Sequence, residues 1–183
     1  MIVGIVVGVL VVLLILVFIL SYNGLVRLRN RIDNAWSQID VQLKRRYDLI
    51  PNLVNTVKGY AAHERGTFEA VTQARANAIN AQTPADQAQA ENVLSGALKS
   101  LFAVAEAYPD LKANQNFLNL QEELTSAEDR VAYARQYYND SVNSYNTQIQ
   151  KFPTNLLAGM FHFEKRDFFD AAPEDTETPQ VRF

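Results

Sequence analysis

Residues 2–20 read IVGIVVGVLVVLLILVFIL, without a charge, a proline or a polar side chain. At ~1.5 Å per residue, a helix of this length spans roughly 30 Å, the thickness of a bilayer's hydrocarbon core. A helix buried in a soluble core would carry a polar stripe somewhere, and a cleaved signal peptide would carry a basic leader and a small-residue cleavage site. Met1-Ile2 and Ser21-Tyr22-Asn23 supply neither, and with no cysteine in the chain a lipoprotein anchor is excluded. Residues 1–21 are therefore expected to be an uncleaved single-pass transmembrane anchor seated in the lipid bilayer, with Tyr22 as an interfacial aromatic. The first charges beyond it are Arg27, Arg29 and Arg31. The positive-inside rule then places the following domain in the cytoplasm, on the inner side of the cell membrane, with the N-terminus outside.

The rest of the 183-residue chain is polar enough to be soluble and long enough to bury a core. Its net charge of −3 is spread over both signs, which gives no basic face for nucleic acid. Apolar positions recur at helical spacing. Leu25, Leu28, Ile32, Ala35, Trp36, Ile39 and Leu43 form one stripe, which resumes after Pro51 as Leu53, Val54, Val57, Tyr60, Ala61, Phe68, Val71 and Ala74. Proline resists a helix interior but suits the first turn of a new helix, so a tight turn is expected at 47–51, with Asp48 in the N-cap region. Thr83-Pro84 with Asp86 is a cleaner helix start. A third stripe follows in Val93, Leu94, Ala97, Leu98, Leu101, Val104, Ala105 and Tyr108, closed by Pro109-Asp110. The fourth runs from Phe117 through Leu120, Leu124, Ala127, Val131, Ala134, Tyr138, Val142 and Tyr145 to Ile149, and ends at Lys151-Phe152-Pro153. No strand-like alternation appears. The pattern predicts an all-α protein in which residues 22–151 form an up-down-up-down antiparallel four-helix bundle, with helices of about 25, 30, 24 and 36 residues.

Such a path returns the chain to the bilayer after the fourth helix. The segment waiting there, 152–169, holds five phenylalanines: Phe152, Phe161, Phe163, Phe168 and Phe169. Leu156, Leu157 and Met160 join them, giving a short aromatic element. It reads either as a satellite core over the bundle end or as a contact with the membrane surface or a second subunit. Residues 170–183, acidic and holding two prolines, read as a flexible tail.

Residues 24–75, and above all WSQIDVQLKRRYDLIPNLVNTVKGY at 36–60, resemble the LemA family of bacterial membrane proteins, and YNTQIQKFPTNLLAGMFHF at 145–163 resembles that family's C-terminal motif. The resemblance implies a single N-terminal span, a helical-bundle domain and a cell-membrane location. Through a magnetosome-formation relative, and the association of family members with membrane proteostasis components such as a zinc metalloprotease, it implies a role in membrane organisation or membrane-protein quality control. A membrane protease or another membrane protein is the implied class of partner.

Catalytic motifs are not legible. His63-Glu64 falls on the predicted second helix as adjacent residues, about 100° apart around the axis, so the two do not converge on one metal. The Glu-x-x-His pairs of a di-iron bundle, HExxH, a phosphate loop and a nucleophile elbow do not occur. His162, inside the phenylalanine cluster, reads as a packed or interfacial ring. Lys44-Arg45-Arg46-Tyr47-Asp48 reads as cations favouring the C-terminus of the first helix, with a ligand or partner role open. Tyr133 and Tyr137, off the fourth stripe, are candidate partner contacts, whereas Tyr138 and Tyr145 are on it. The expectation is a non-enzymatic, self-associating membrane scaffold or adaptor without catalytic residues, cofactor or metal. The alternative is a lipid-binding or membrane-shaping protein acting through the aromatic element.

Overall fold

In the computed structural model, which describes residues 2–169, six helices and no strand occur among the described residues. They are α1 (Ile2–Lys58), α2 (Arg65–Ile79), α3 (Pro84–Glu106), α4 (Pro109–Lys112), α5 (Gln115–Gln148) and α6 (Thr154–Met160). The 170–183 tail lies outside the described residues.

The expected turn at 47–51 is absent. α1 passes through Pro51 without interruption, and the first reversal comes at 59–64. The physical reason is a substitute hydrogen bond. Proline has no N–H to give to the carbonyl four residues back, which is that of Tyr47. The Arg75 side chain on α2 donates its Nε–H to this carbonyl at 2.8 Å instead. Pro51 itself is exposed, so its ring meets solvent. Consequently α2 is shorter than expected, Tyr60 belongs to the turn and is 41% exposed, and His63 lies in the turn rather than on a helix, with Glu64 as the N-cap residue of α2. Lys44–Asp48 stands inside α1, not at its end.

The expected start at Thr83 is present: its hydroxyl accepts from the Asp86 amide, with Pro84 opening α3. Val93 departs from its stripe and is exposed, the inward positions being Gln87, Glu91, Leu94, Leu98 and Leu101. Pro109 opens the single turn of α4 instead of only ending α3.

The described chain divides into two compact units. One takes the chain up to Ser37 and Gln136–Asp167. Its core includes Leu25, Ile32, Ala35, Val142, Tyr145 and Leu157, with Trp36 and Tyr138 rings 5.5 Å apart. The other takes Gln38–Arg135 with Phe168 and Phe169. There Ile39, Ile50, Leu53, Val57, Val71, Leu94, Leu101 and Leu111 are buried. The 2–20 segment of α1 is exposed throughout and is long and apolar enough to cross a membrane.

Candidate functional site

Two regions stand out, one in each unit. In the first, α6 and the segment after it pack against the end of the apolar stretch. The Phe161 ring meets Tyr22 edge-on at 4.9 Å and Phe18 at 6.3 Å, and Phe163 meets Tyr22 at 5.8 Å. Arg29 lies over the Phe163 ring at 5.5 Å. α6 ends in a left-handed residue, His162, at φ 54°. The Phe163 amide turns back to the Ala158 carbonyl at 2.9 Å, closing the last helical turn. His162 therefore caps the helix through its backbone, and its exposed side chain removes the packed-ring alternative and leaves the interfacial one.

Beyond that cap the chain leaves the helix and is pinned to α5. The Asn146 side chain both donates to the Arg166 carbonyl (2.8 Å) and accepts from the Arg166 amide (2.9 Å). Tyr138 donates its hydroxyl to the Asp167 carbonyl at 2.9 Å, and the Arg166 guanidinium pairs with Asp33 at 3.3 Å. Burial pushes the hydroxyls of Tyr138 and Tyr145 above the ordinary tyrosine range.

The expected contact residues divide. Leu157, Phe163 and Phe169 are buried in the chain's own core and present no surface, so for them the satellite-core reading applies. Phe152, Leu156, Met160 and Phe161 are exposed, and Phe168 sits at the margin. Within α6, spacing of four residues puts Leu156 and Met160 on one face, and Phe152 lies in the turn that precedes the helix. Tyr133 and Tyr137 are exposed on α5. Arg27, Arg29 and Arg31 are exposed at the foot of the polar part of α1.

The second region is a buried polar centre that the helix-terminus reading of Lys44–Asp48 missed. Arg46 is only 3% exposed and pairs with the buried Glu91 of α3. It also donates to Ser95 Oγ at 2.8 Å and reaches Glu128 of α5 at 3.5 Å. Tyr47 donates its hydroxyl to the other oxygen of Glu91 and accepts from Gln87 at 2.8 Å. Gln87 also donates to the Ala78 carbonyl at 3.1 Å, tying the end of α2 into the centre. Burial, then the adjacent Glu91 charge, holds the Tyr47 hydroxyl far above its ordinary value, so it remains a donor. A cleft of about 460 Å³ opens beside the centre, lined by Arg46, Ser95, Lys99, Glu128 and Arg135 among others. The signal was present in the sequence. Arg46 and Tyr47 continue the three-and-four spacing from Leu43 to Ile50, and Gln87 and Glu91 precede Leu94 in the same phase. Among the described residues no group of three or more His, Asp or Glu is placed to hold a metal.

Sequence comparison adds the relationship. The LemA family matches residues 35–183. Protein LemA of Metamycoplasma hominis is 31% identical over 173 residues, covering 91% of this chain and 78% of that protein. The chain belongs to the LemA family. Two magnetosome proteins are also similar to this LemA-family chain: MamQ 2 of Paramagnetospirillum magneticum, 28% identical, and MamQ of Magnetospirillum gryphiswaldense, 26% identical. Each alignment covers 89% of this chain and 71% of the relative. Together with the exposed apolar stretch of α1, this relationship makes the LemA-family protein a membrane-associated one.

Proposed function

We propose that this LemA-family protein is a non-enzymatic membrane-anchored scaffold or adaptor, self-associating, in membrane organisation or membrane-protein quality control. Residues 2–20 serve as its single span, and its polar domain stands on the cytoplasmic face, with Arg27, Arg29 and Arg31 at the inner boundary. In that domain 38–58, α2, α3 and the first part of α5 close as an up-down-up-down bundle. The bonds from Arg46 to α3 and α5, and from Arg75 on α2 back to α1, support this arrangement. The observation that carries the functional reading is the packing of Phe161 on Phe18 and Tyr22. It sets the exposed Phe152, Leu156 and Met160 in the same unit as the end of the span. Apolar surface there gains about 25 cal/mol per Å² when covered by another protein. The similarity to relatives named as magnetosome proteins supports an organising role.

The second reading, a lipid-binding element, draws on the same exposed face. A single reporter separates the two. Full-length protein carrying Trp36→Phe and Leu156→Trp is reconstituted in nanodiscs with brominated acyl chains. The scaffold reading expects an unquenched residue-156 tryptophan and a discrete oligomer by analytical ultracentrifugation. A quenched tryptophan on a monomer would overturn it in favour of lipid insertion.

A further inference from the structure

We propose that the cleft at the foot of the polar part of α1 seats the phosphate of an anionic phospholipid. The cleft, about 560 Å³, is lined by Leu20, Ser21, Gly24, Arg27, Arg31 and Gln148, with Leu28 completing the wall. Its volume falls within the roughly 300–1,000 Å³ of small-ligand sites. The proposal rests on the reading of 2–20 as a membrane span.

Depth is the first argument. Leu20 is the last residue of the apolar stretch and Ser21 the first polar one, so the cleft begins where hydrocarbon gives way to headgroups. Arg27 stands ~10 Å further along the helix axis. Helical side chains tilt toward the N-terminus, and arginine extends its apolar stem to place its charge at a chosen depth. Both effects bring the guanidinium back toward the headgroup layer, about 5–8 Å deep.

Charge is the second. Arg27 and Arg31, four residues apart, share one face of α1. Among the described residues neither makes an ion pair or a ring contact, whereas Arg29 is committed to Phe163 and Arg166 to Asp33. Two unpaired guanidiniums with a hydroxyl and an amide beside them suit a phosphodiester better than any neutral headgroup. The Gln148 amide is held in place by a 3.2 Å bond to Thr154 Oγ1.

Space is the third. A Cβ added at Gly24 would meet nothing within 4 Å, so the room over this glycine is empty. It also provides a test at constant charge, because Gly24→Leu fills the cleft while both arginines are retained, and it favours the helix.

Full-length protein in zwitterionic detergent is incubated with equal amounts of phosphatidylglycerol and phosphatidylcholine, and retained lipid is counted by native mass spectrometry. The expected result is preferential retention of phosphatidylglycerol, falling roughly fivefold for each arginine removed in Arg27→Gln and Arg31→Gln. Gly24→Leu is expected to lose the preference with charge intact. The charge-matched pair Lys44→Gln/Arg45→Gln, exposed further along α1, is expected to retain it. Equal losses in the cleft pair and the control pair would reduce the effect to net charge and overturn the site. Displacement of the lipid by millimolar inorganic phosphate would overturn a lipid in favour of a soluble anion. Flotation with phosphatidylcholine vesicles separates the two levels. A wild-type chain that floats yet shows no phosphatidylglycerol preference overturns the site alone. One that fails to float overturns the membrane span and the site with it.

Discussion

At the scale of the residue, Arg46 joins α1 to α3 and α5 through a single buried side chain. It is buried with Glu91, and a buried ion pair is stable only while both partners and their hydrogen bonds are present. Arg46→Met should cost about 3–5 kcal/mol, because Glu91 then keeps an uncompensated charge. Arg46→Met/Glu91→Leu should recover most of the loss. Urea midpoints decide this, and a double variant as unstable as Arg46→Met would refute the account. Tyr47 gives the same centre a dependence on pH. Tyrosines in the unfolded chain ionise near pH ~10. In the folded protein Tyr47, Tyr138 and Tyr145 hold their protons to higher pH, chiefly through burial. The folded state thus binds more protons above that point, and stability, complete below pH ~10, should fall as pH rises through it. Tyr47→Phe should flatten the alkaline part of the curve. An unchanged slope would show that this hydroxyl is not protected. This centre could be read from the sequence only by treating polar residues in phase with an apolar stripe as buried. Grouping Lys44–Asp48 by charge concealed that Arg46 and Tyr47 face inward while Lys44, Arg45 and Asp48 face solvent.

At the scale of the element, α1 shows why a local rule gave a wrong boundary. Proline's preference against a helix interior is a local penalty, and the compensation comes from Arg75, in another helix. No periodicity in 47–51 announces that bond. Arg75→Met should leave the Tyr47 carbonyl without its donor and cost about 1–3 kcal/mol. In a Pro51→Ala background the alanine amide restores the donor, so the same substitution should cost much less. A coupling under ~0.5 kcal/mol would mean the bond contributes nothing. Continuity of the helix is measurable directly, since the chain has no native cysteine. Spin labels at Asp40 and Lys58, both exposed, should lie ~27 Å apart along one helix. A hairpin at 47–51 would bring them to roughly one interhelix spacing, about 10 Å. The C-terminus of α6 permits the opposite kind of test. His162 occupies a left-handed conformation that glycine adopts at no cost, so His162→Gly should stabilise by about 1 kcal/mol, read as a raised Tm. Thr83-Pro84 was legible because a cap is a contact among neighbours in sequence, whereas the Pro51 bridge and the Asn146 clamp on Arg166 join residues far apart.

At the scale of the whole molecule, the apolar N-terminal stretch and the all-α composition were both plain in the sequence, because hydropathy and period are properties of single segments. Which aromatics remain available was not, since burial of Phe163 and Phe169 depends on where the chain runs after His162. The two compact units share α1 and α5, each helix giving residues to both. Breaking an α-helix at one point forfeits the hydrogen bonds of a turn and creates new unsatisfied ends. A partly unfolded state with one unit melted must do this in α1 and again in α5, at positions where neither helix contains a glycine or proline. The units should therefore unfold together. In the chain lacking residues 1–20, Trp36 fluorescence reports the unit that holds the Trp36–Tyr138 contact, and far-ultraviolet circular dichroism reports all the helices. Coincident urea transitions with one midpoint are expected for that soluble fragment. Loss of the fluorescence signal well before the helical signal would show that α1 and α5 break between the units, and that the first unit depends on the anchor, through Phe18 against Phe161, for its stability.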